Sequence, residues 1–489
     1  MALSGKSICK VFLRMRRGEK PVNIEVTEPI QVEALDLDAQ GIARLAPNAE
    51  EVEEGHSGKV IFIQGALPTE RVTYIITRDK ARFSKAKVLN ILKPAVFRAE
   101  PKCKAFGVCG GCTMQHLDIR AQVAMKQRVL EDDLQHIAKV KPQEILRPMG
   151  GPTWQYRQRA RLSVVNRSIK KGTVLIGFHE GKSAYVADMT ACEILPKHVS
   201  DLLPEMRKLV MGLSIVDRMP QIEVAVGEPE NPSDPESKPV TALVFRNLLP
   251  LTSEDEQRLR DFADAHQVWI WLQPKGIETV APFYPETGKL CYRLPEFDIE
   301  MPFKPADFTQ VNHLMNRALV SRAIRLLEVQ PTDRVLDLFC GIGNFTLPLA
   351  RKAKQVLGIE GLETLTNRAK ANAEHNGLAK QVSFMQSDLF EVTTETIASW
   401  GKAERWLMDP PREGAMEICK SLAQLRLQNS DLLPKRIVYV SCNPKTLARD
   451  VELLCHHAGY QLSSAGIVNM FPHTSHVESI AVFDLPETL

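Results

Sequence analysis

The chain has 489 residues, 44% of them apolar, and a formal net charge of +3. That length suggests about three domains of roughly 150 residues each, with apolar residues enough for more than one core. No run of about 18 apolar residues offers a membrane span. The ten cysteines, in a chain without a readable signal peptide, speak against a disulfide framework and for reduced thiols in the cytoplasm.

Charge is segregated along the chain. Lys6, Lys10, Arg14, Arg16, Arg17 and Lys20 stand against Glu19 alone in a basic tail over residues 1–20. Between Arg71 and Lys104 there are ten basic residues and two acids, and between Arg157 and Lys171 six basic residues and no acid. Such runs make a local positive field suited to a polyphosphate partner, although any single run is also an ordinary solvated face.

Residues 21–93 contain short strand patterns (VNIEV, QVEAL, GKVIFI, ERVTYII, AKVLNIL) separated by Gly41, Gly55, Gly58, Gly65 and Pro68. That spacing predicts a small β-barrel of the oligonucleotide-binding type. Residues 94–305 form a central α+β region. It opens with a Cys/Gly loop, continues in a helix from about Ile119 to Lys139, and then holds strands such as RARLSVV, TVLIGFH and QIEVAV. The acidic, proline-rich segment 227–239 reads as a hairpin insertion with no function expected of it.

From residue 306 to the end, strands RVLDLF, QVLGIE, VSFMQ, RWLMD, RIVYVS and SIAVF alternate with helical stretches. The fold class is therefore α/β, with a parallel doubly wound sheet that binds its ligand beyond the carboxyl ends of the strands. Asp337-Leu-Phe-Cys-Gly-Ile-Gly-Asn-Phe345 is a strand–turn–helix junction in which Gly341 and Gly343 permit close backbone approach. Glu360 ends the next strand, where an acid takes ribose hydroxyls. Asp388 ends the third strand, placed for an adenine edge, and Asp409 ends the fourth. The loop lacks the full dinucleotide fingerprint, since Phe345 and Thr346 follow Gly343. S-adenosylmethionine is thus preferred to NAD.

Cys442, in Ser441-Cys-Asn-Pro444, follows the strand RIVYV. Free cysteines are mostly packing residues, but Asn443 and Pro444 argue against a continued strand or helix and predict an exposed turn, where a thiolate nucleophile would be presented. Glu478 before the last strand is a candidate base. The pairing suits methylation at carbon 5 of uracil. Thiolate addition at carbon 6 makes carbon 5 nucleophilic, and a carboxylate then removes its proton so that the cysteine leaves.

Together FTQVN (308–312), DLFCGIGNF, DPPREG (409–414), SCNP and FPHTSHVE resemble the RNA uracil-5 methyltransferases over nearly the whole chain. The resemblance implies a TRAM RNA-binding domain over 21–93 and a methyltransferase domain over 306–489. It implies Cys442 as nucleophile and Glu478 as base, with Gln310, Phe339, Asn344, Glu360, Asp388 and Asp409 lining the S-adenosylmethionine site. The implied substrate is a specific uridine in a stem-loop of 23S ribosomal RNA; no protein partner is implied, and the chain is expected to be a monomer. Cys103, Cys109 and Cys112, with Cys192, are too clustered for chance and suit either a [4Fe–4S] cluster or zinc; only the resemblance, to the ribosomal branch, favours the cluster. The alternatives are a tRNA uracil-5 methyltransferase, an amino methyltransferase that needs no Cys442, and a redox-responsive RNA-binding protein without turnover.

Overall fold

A computed structural model describes residues 28–36, 38–45, 58–234 and 236–486. The expected basic tail and the strand VNIEV lie outside these residues. Contacts divide the chain into two units, one of residues up to Gly107 with Cys112–Gln122 and His473–Ser475, the other of the remainder.

The first unit carries a six-stranded sheet. In order across the sheet its strands are Ile30–Gln31, Arg71–Asp79, Phe83–Lys93, Val60–Gln64, Gln40–Arg44 and Ala34–Leu35. All pairings are antiparallel except that of Val60–Gln64 with Phe83–Lys93. Alternation sets the core: Ile61 and Ile63 point inward beside Val32, Ala43, Val72, Tyr74 and Ala86, while Arg71, Arg78 and Lys87 stay exposed. Glu70 is fully buried and accepts from Leu67 N at 2.9 Å, Ala95 N at 3.1 Å and the Arg98 guanidinium. A buried carboxylate survives only with such complete pairing.

The second unit is built on two sheets and a hairpin. Its smaller sheet has six strands, including Arg159–Arg167, Gln221–Gly227 and Val240–Phe245. The last two pair antiparallel from Ile222↔Phe245 to Gly227↔Val240, so segment 228–239 is the hairpin connection expected of it.

The larger sheet has eight strands: β1 (Glu144–Ile145), β2 (Arg334–Leu338), β3 (Gln355–Glu360), β4 (Val382–Gln386), β5 (Arg405–Met408), β6 (Arg436–Ser441), β7 (Gln461–Val468) and β8 (Glu478–Asp484). Their order is β4-β3-β2-β5-β6-β8-β7-β1. Both faces are covered, as the apolar runs require. Leu336, Leu338, Trp406, Met408, Ile437 and Tyr439 pack on one face with Trp400 and Leu130. Val335, Leu407, Val438 and Val440 pack on the other with Leu319, Val320 and Ala323 of the helix His313–Leu327.

The sheet is not wholly parallel. β8 runs antiparallel to both β6 and β7. β7 was not among the expected strands, because Ser463 and Ser464 interrupt its apolar pattern. The reversal matters for the site. A strand that runs backwards begins where its parallel neighbours end, and the pair Ser441↔Ser479 brings Glu478 to the same edge as Cys442.

Candidate active site

Five loops meet at the carboxyl edge of β2–β6. After β2 the chain turns through Phe339, Gly341 and Gly343, all with positive φ (62°, 55° and 96°). Glycine is required there by the backbone itself, since a Cβ on Gly341 would meet nothing within 4 Å. Phe339 holds the same left-handed conformation without glycine's freedom. Such strain, on the order of 1 kcal/mol, is typical of binding sites. Its ring lies 5.8 Å from that of Phe390, beyond β4.

The two expected ribose and adenine acids sit differently. Glu360, at the end of β3, accepts from the backbone N–H of Gly341 at 3.1 Å, Gly361 at 3.0 Å and Leu362 at 3.3 Å. Its carboxylate therefore ties the glycine turn to the next loop. Asp388 is exposed and accepts from Phe390 N at 2.8 Å. The Asn344 side chain is held from behind: its Oδ1 accepts from Tyr292 Oη at 2.9 Å and Asn316 Nδ2 at 2.8 Å, and its Nδ2 donates to Asn316 Oδ1 at 3.0 Å.

Gln310 is half-buried in a loop fixed on both sides. The Arg159 guanidinium donates to the carbonyls of Pro305 and Asp307, and Gln158 N donates to Val311 O at 2.7 Å. Asn312 caps the following helix through Met315 N at 3.2 Å and donates to Met470 O at 3.2 Å. FTQVN is thus an anchored loop rather than a catalytic motif in every letter.

Cys442 corrects an expectation. Asn443 and Pro444 do not prevent a helix; they start one. Asn443 is the N-cap of Pro444–Glu452, accepting from Lys445 N at 3.1 Å, with Pro444 in the first turn where its missing N–H costs nothing. Cys442 is therefore half-buried between strand and helix, not on an open turn. The capping helix also grips the loop after β5. Asn443 Nδ2 and Thr446 Oγ1 each donate to Arg412 O at 3.1 Å, and Arg449 donates to Glu413 O at 2.8 Å. Ala415 N donates to buried Asp450, which also accepts from Tyr439 Oη at 2.7 Å. At Gly414, with φ of 80°, a Cβ would stand 2.6 Å from Asp450 Oδ2.

Electrostatics single out this end of the sheet. Burial pushes the Cys442 thiol up to about 11, reinforced by Glu478 and Asp409 and opposed by Arg412. Burial raises Glu478 to about 8, Asp409 adding and Arg412 and Lys126 opposing. Asp409 is raised to about 7 by burial. Asp337, fully buried with Oδ1 unpartnered, is raised to about 7 by burial, Asp409 and Glu360. The resting thiol is therefore protonated, which differs from the thiolate expected of an exposed turn. Three buried acids raised by desolvation at one edge favour a cationic ligand. Lys126 and Asp337 carry no signal of their own in the sequence beyond their place in a helix and a strand end.

Of the four cysteines expected to hold a cluster, Cys192 is buried and Cys103, Cys109 and Cys112 are half-buried. Gly111 N lies 3.4 Å from Cys109 Sγ. Among the described residues no three His, Cys, Asp or Glu side chains form a group that could hold a metal ion. No helix among them is long and apolar enough to cross a membrane.

A parallel-centred sheet with a glycine turn and strand-end acids is the arrangement of an S-adenosylmethionine-dependent methyltransferase. The fold is shared with the tRNA (uracil-54, C5)-methyltransferase of Pyrococcus abyssi, solved with S-adenosyl-L-homocysteine, at a TM-score of 0.67 and 20% identity over 93% of this chain and 100% of that one. Residues 296–484 match the tRNA (Uracil-5-)-methyltransferase family model. The 23S rRNA (uracil(1939)-C(5))-methyltransferase RlmD of Polynucleobacter necessarius is 84% identical over 473 residues, 96% of this chain and 100% of the relative. That of Cupriavidus metallidurans is 60% identical over 93% of this chain and 94% of the relative. The chain belongs to the RNA uracil-5 methyltransferase family, in the branch of these relatives.

Proposed function

We propose that this chain transfers a methyl group from S-adenosylmethionine to carbon 5 of a uridine in 23S ribosomal RNA, the position its relatives' names give as 1939, in the cytoplasm. The observation that carries the mechanism is the meeting of Cys442, Glu478 and Asp409 at one sheet edge, each held above its ordinary pKa by burial. S-adenosylmethionine, when bound, supplies the methyl group and a sulfonium charge.

The residues divide the work. Glu360, Asp388, Phe339 and Asn344 bind the nucleoside and amino-acid parts of the methyl donor, and Gln310 faces the base from its anchored loop. Cys442 gives its proton to solvent as its Sγ bonds to carbon 6, leaving carbon 5 electron-rich. Carbon 5 would take the methyl group as its bond to the donor sulfur breaks, leaving S-adenosylhomocysteine. The Glu478 carboxylate then removes the carbon 5 proton, the carbon 6–sulfur bond breaks, and Cys442 departs as thiolate. Asp409 stands beside both groups, its charge opposing the ionisation of each.

In this reading residues 21–93 are a TRAM domain, 94–305 a central domain and 306–489 the methyltransferase domain. Cys103, Cys109, Cys112 and Cys192 hold a structural [4Fe–4S] cluster, supported by the resemblance and by the chemistry of a four-cysteine donor set. Protein purified without oxygen should then be brown, with about four iron atoms and little zinc per chain. Colourless, fully active protein with one zinc would remove the cluster and leave the uracil chemistry standing. The main test is trapping. RNA carrying 5-fluorouracil at the target should form an adduct that survives denaturing gels and is lost in Cys442→Ala, and labelled methyl should reach 23S RNA rather than tRNA.

A further inference from the structure

Lys126 lies on the helix Ile119–Asp133 and is 1% exposed. A lysine is almost never so buried unless something uses its charge. Its Nζ donates to two neutral oxygens, Asn469 Oδ1 at 2.9 Å and Phe471 O at 2.9 Å. Two such bonds would be met more cheaply by a neutral amide, because an ammonium taken out of water costs several kcal/mol in order of magnitude. The charge therefore needs another account, and Glu478 provides it: each group feels the other's charge.

The segment that Lys126 grips ends β7 and leads towards Glu478. Met470 O in the same segment accepts from Asn312, and Pro472 O accepts from Tyr156 Oη at 2.9 Å. We infer that Lys126 is a positioning residue for the Glu478 base, pinning the chain before it and supplying the buried positive charge that lets its carboxylate ionise. The inference rests on the base role given to Glu478 above.

The charges around the pair are specific. Glu478 faces Asp409 and Arg412 from the loop after β5 and Lys126 from the helix, and Cys442 at the end of β6 feels Glu478 in turn. His476, two residues before it, faces Arg412, Lys126 and Arg157. Burial lowers Lys126 to about 7 while Glu478 opposes that shift. The ammonium and the carboxylate therefore each favour the other's charged form.

The test compares Lys126→Met, Lys126→Gln and Glu478→Gln in the full-length protein with two RNAs. On 5-fluorouracil RNA no carbon 5 proton is present, so both Lys126 variants should form the adduct at close to the wild-type rate. On uridine RNA they should resolve it about tenfold more slowly near neutral pH, and the rising limb of the pH–rate profile should move to higher pH by about one unit. Lys126→Gln keeps a donor for Asn469 or Phe471, so it separates charge from packing should Lys126→Met fail to fold. An unshifted limb in Lys126→Gln, with no adduct accumulating, would overturn the inference. Resolution at the wild-type rate in Glu478→Gln would overturn the base reading itself, whatever Lys126 does.

Discussion

The two ends of the cofactor-facing edge handle their acids in opposite ways. Glu360, on the β3 side, has three backbone N–H donors within 3.3 Å, and Asp388 closes its own turn. Asp409, Glu478 and Asp337, on the β5–β8 side and beneath it, are desolvated and held well above the usual carboxylate range. The first end is satisfied before any ligand arrives. The second is complete only when a cation and a base to act on are present. Binding and chemistry thus occupy one edge but draw on different physics, preorganised hydrogen bonding in one case and stored desolvation in the other.

The largest way to break that contrast is at the sulfur. Cys442→Ala should lower methyl transfer by at least about a thousandfold, since no other group adds to carbon 6. Binding of S-adenosylmethionine, measured by calorimetry, should stay within about twofold, because a half-buried thiol outside the Glu360 network contributes little to it. Loss of cofactor binding in step with activity would merge the two ends into one.

Next in size is the base. Glu478→Gln should slow turnover by about 10²–10⁴-fold and let a methylated RNA–protein adduct collect on denaturing gels. In the wild type the sign follows from the raised pKa. Glu478 is a base only when ionised, so adduct resolution should rise with pH through about 8 and level off above it. A flat profile across that range would move the base role elsewhere.

The binding end should respond more mildly. Glu360→Gln keeps the shape but loses the charge on which three N–H groups converge, so with the ribose role proposed for it cofactor affinity should fall about tenfold, near 1.4 kcal/mol. The apparent Michaelis constant for S-adenosylmethionine should rise while kcat is kept. A drop in kcat alone would show that Glu360 belongs with the reacting groups.

The same contrast explains what was legible in the sequence. The α/β alternation, the glycine turn and the strand-end acids follow from local patterns, since each residue's role there is set within a few positions of it. The position of Glu478 needed the antiparallel return of β8, a long-range pairing through β7 whose serines mask its apolar period. The surroundings of Cys442 needed the distinction between a proline that stops a helix and one that begins it. Lys126 was invisible for the same reason: its partners, Asn469 and Phe471, are more than 340 residues away, and only the folded chain makes it a buried charge. What the sequence concealed was burial, and burial is what sets the chemistry at the reacting end.

The smallest effect expected is on stability, and it tests the stored desolvation directly. A carboxyl whose pKa is higher folded than unfolded stabilises the fold fully below its unfolded value, and that contribution is lost as pH rises through the folded value. For Asp337 and Asp409 the window runs from the ordinary value 3.8 to about 7, and for Glu478 from 4.5 to about 8. The Tm of the ligand-free protein should therefore fall as pH rises from about 4 to about 8 and level off above, by a few degrees if the net loss is about 1–2 kcal/mol. Glu478→Gln cannot ionise and should flatten part of that fall. S-adenosylmethionine should also reduce the fall more than S-adenosylhomocysteine does, since only the former brings a positive sulfur to the buried acids. Equal slopes with both ligands would mean that the acids titrate without sensing the charge at the methyl-bearing atom.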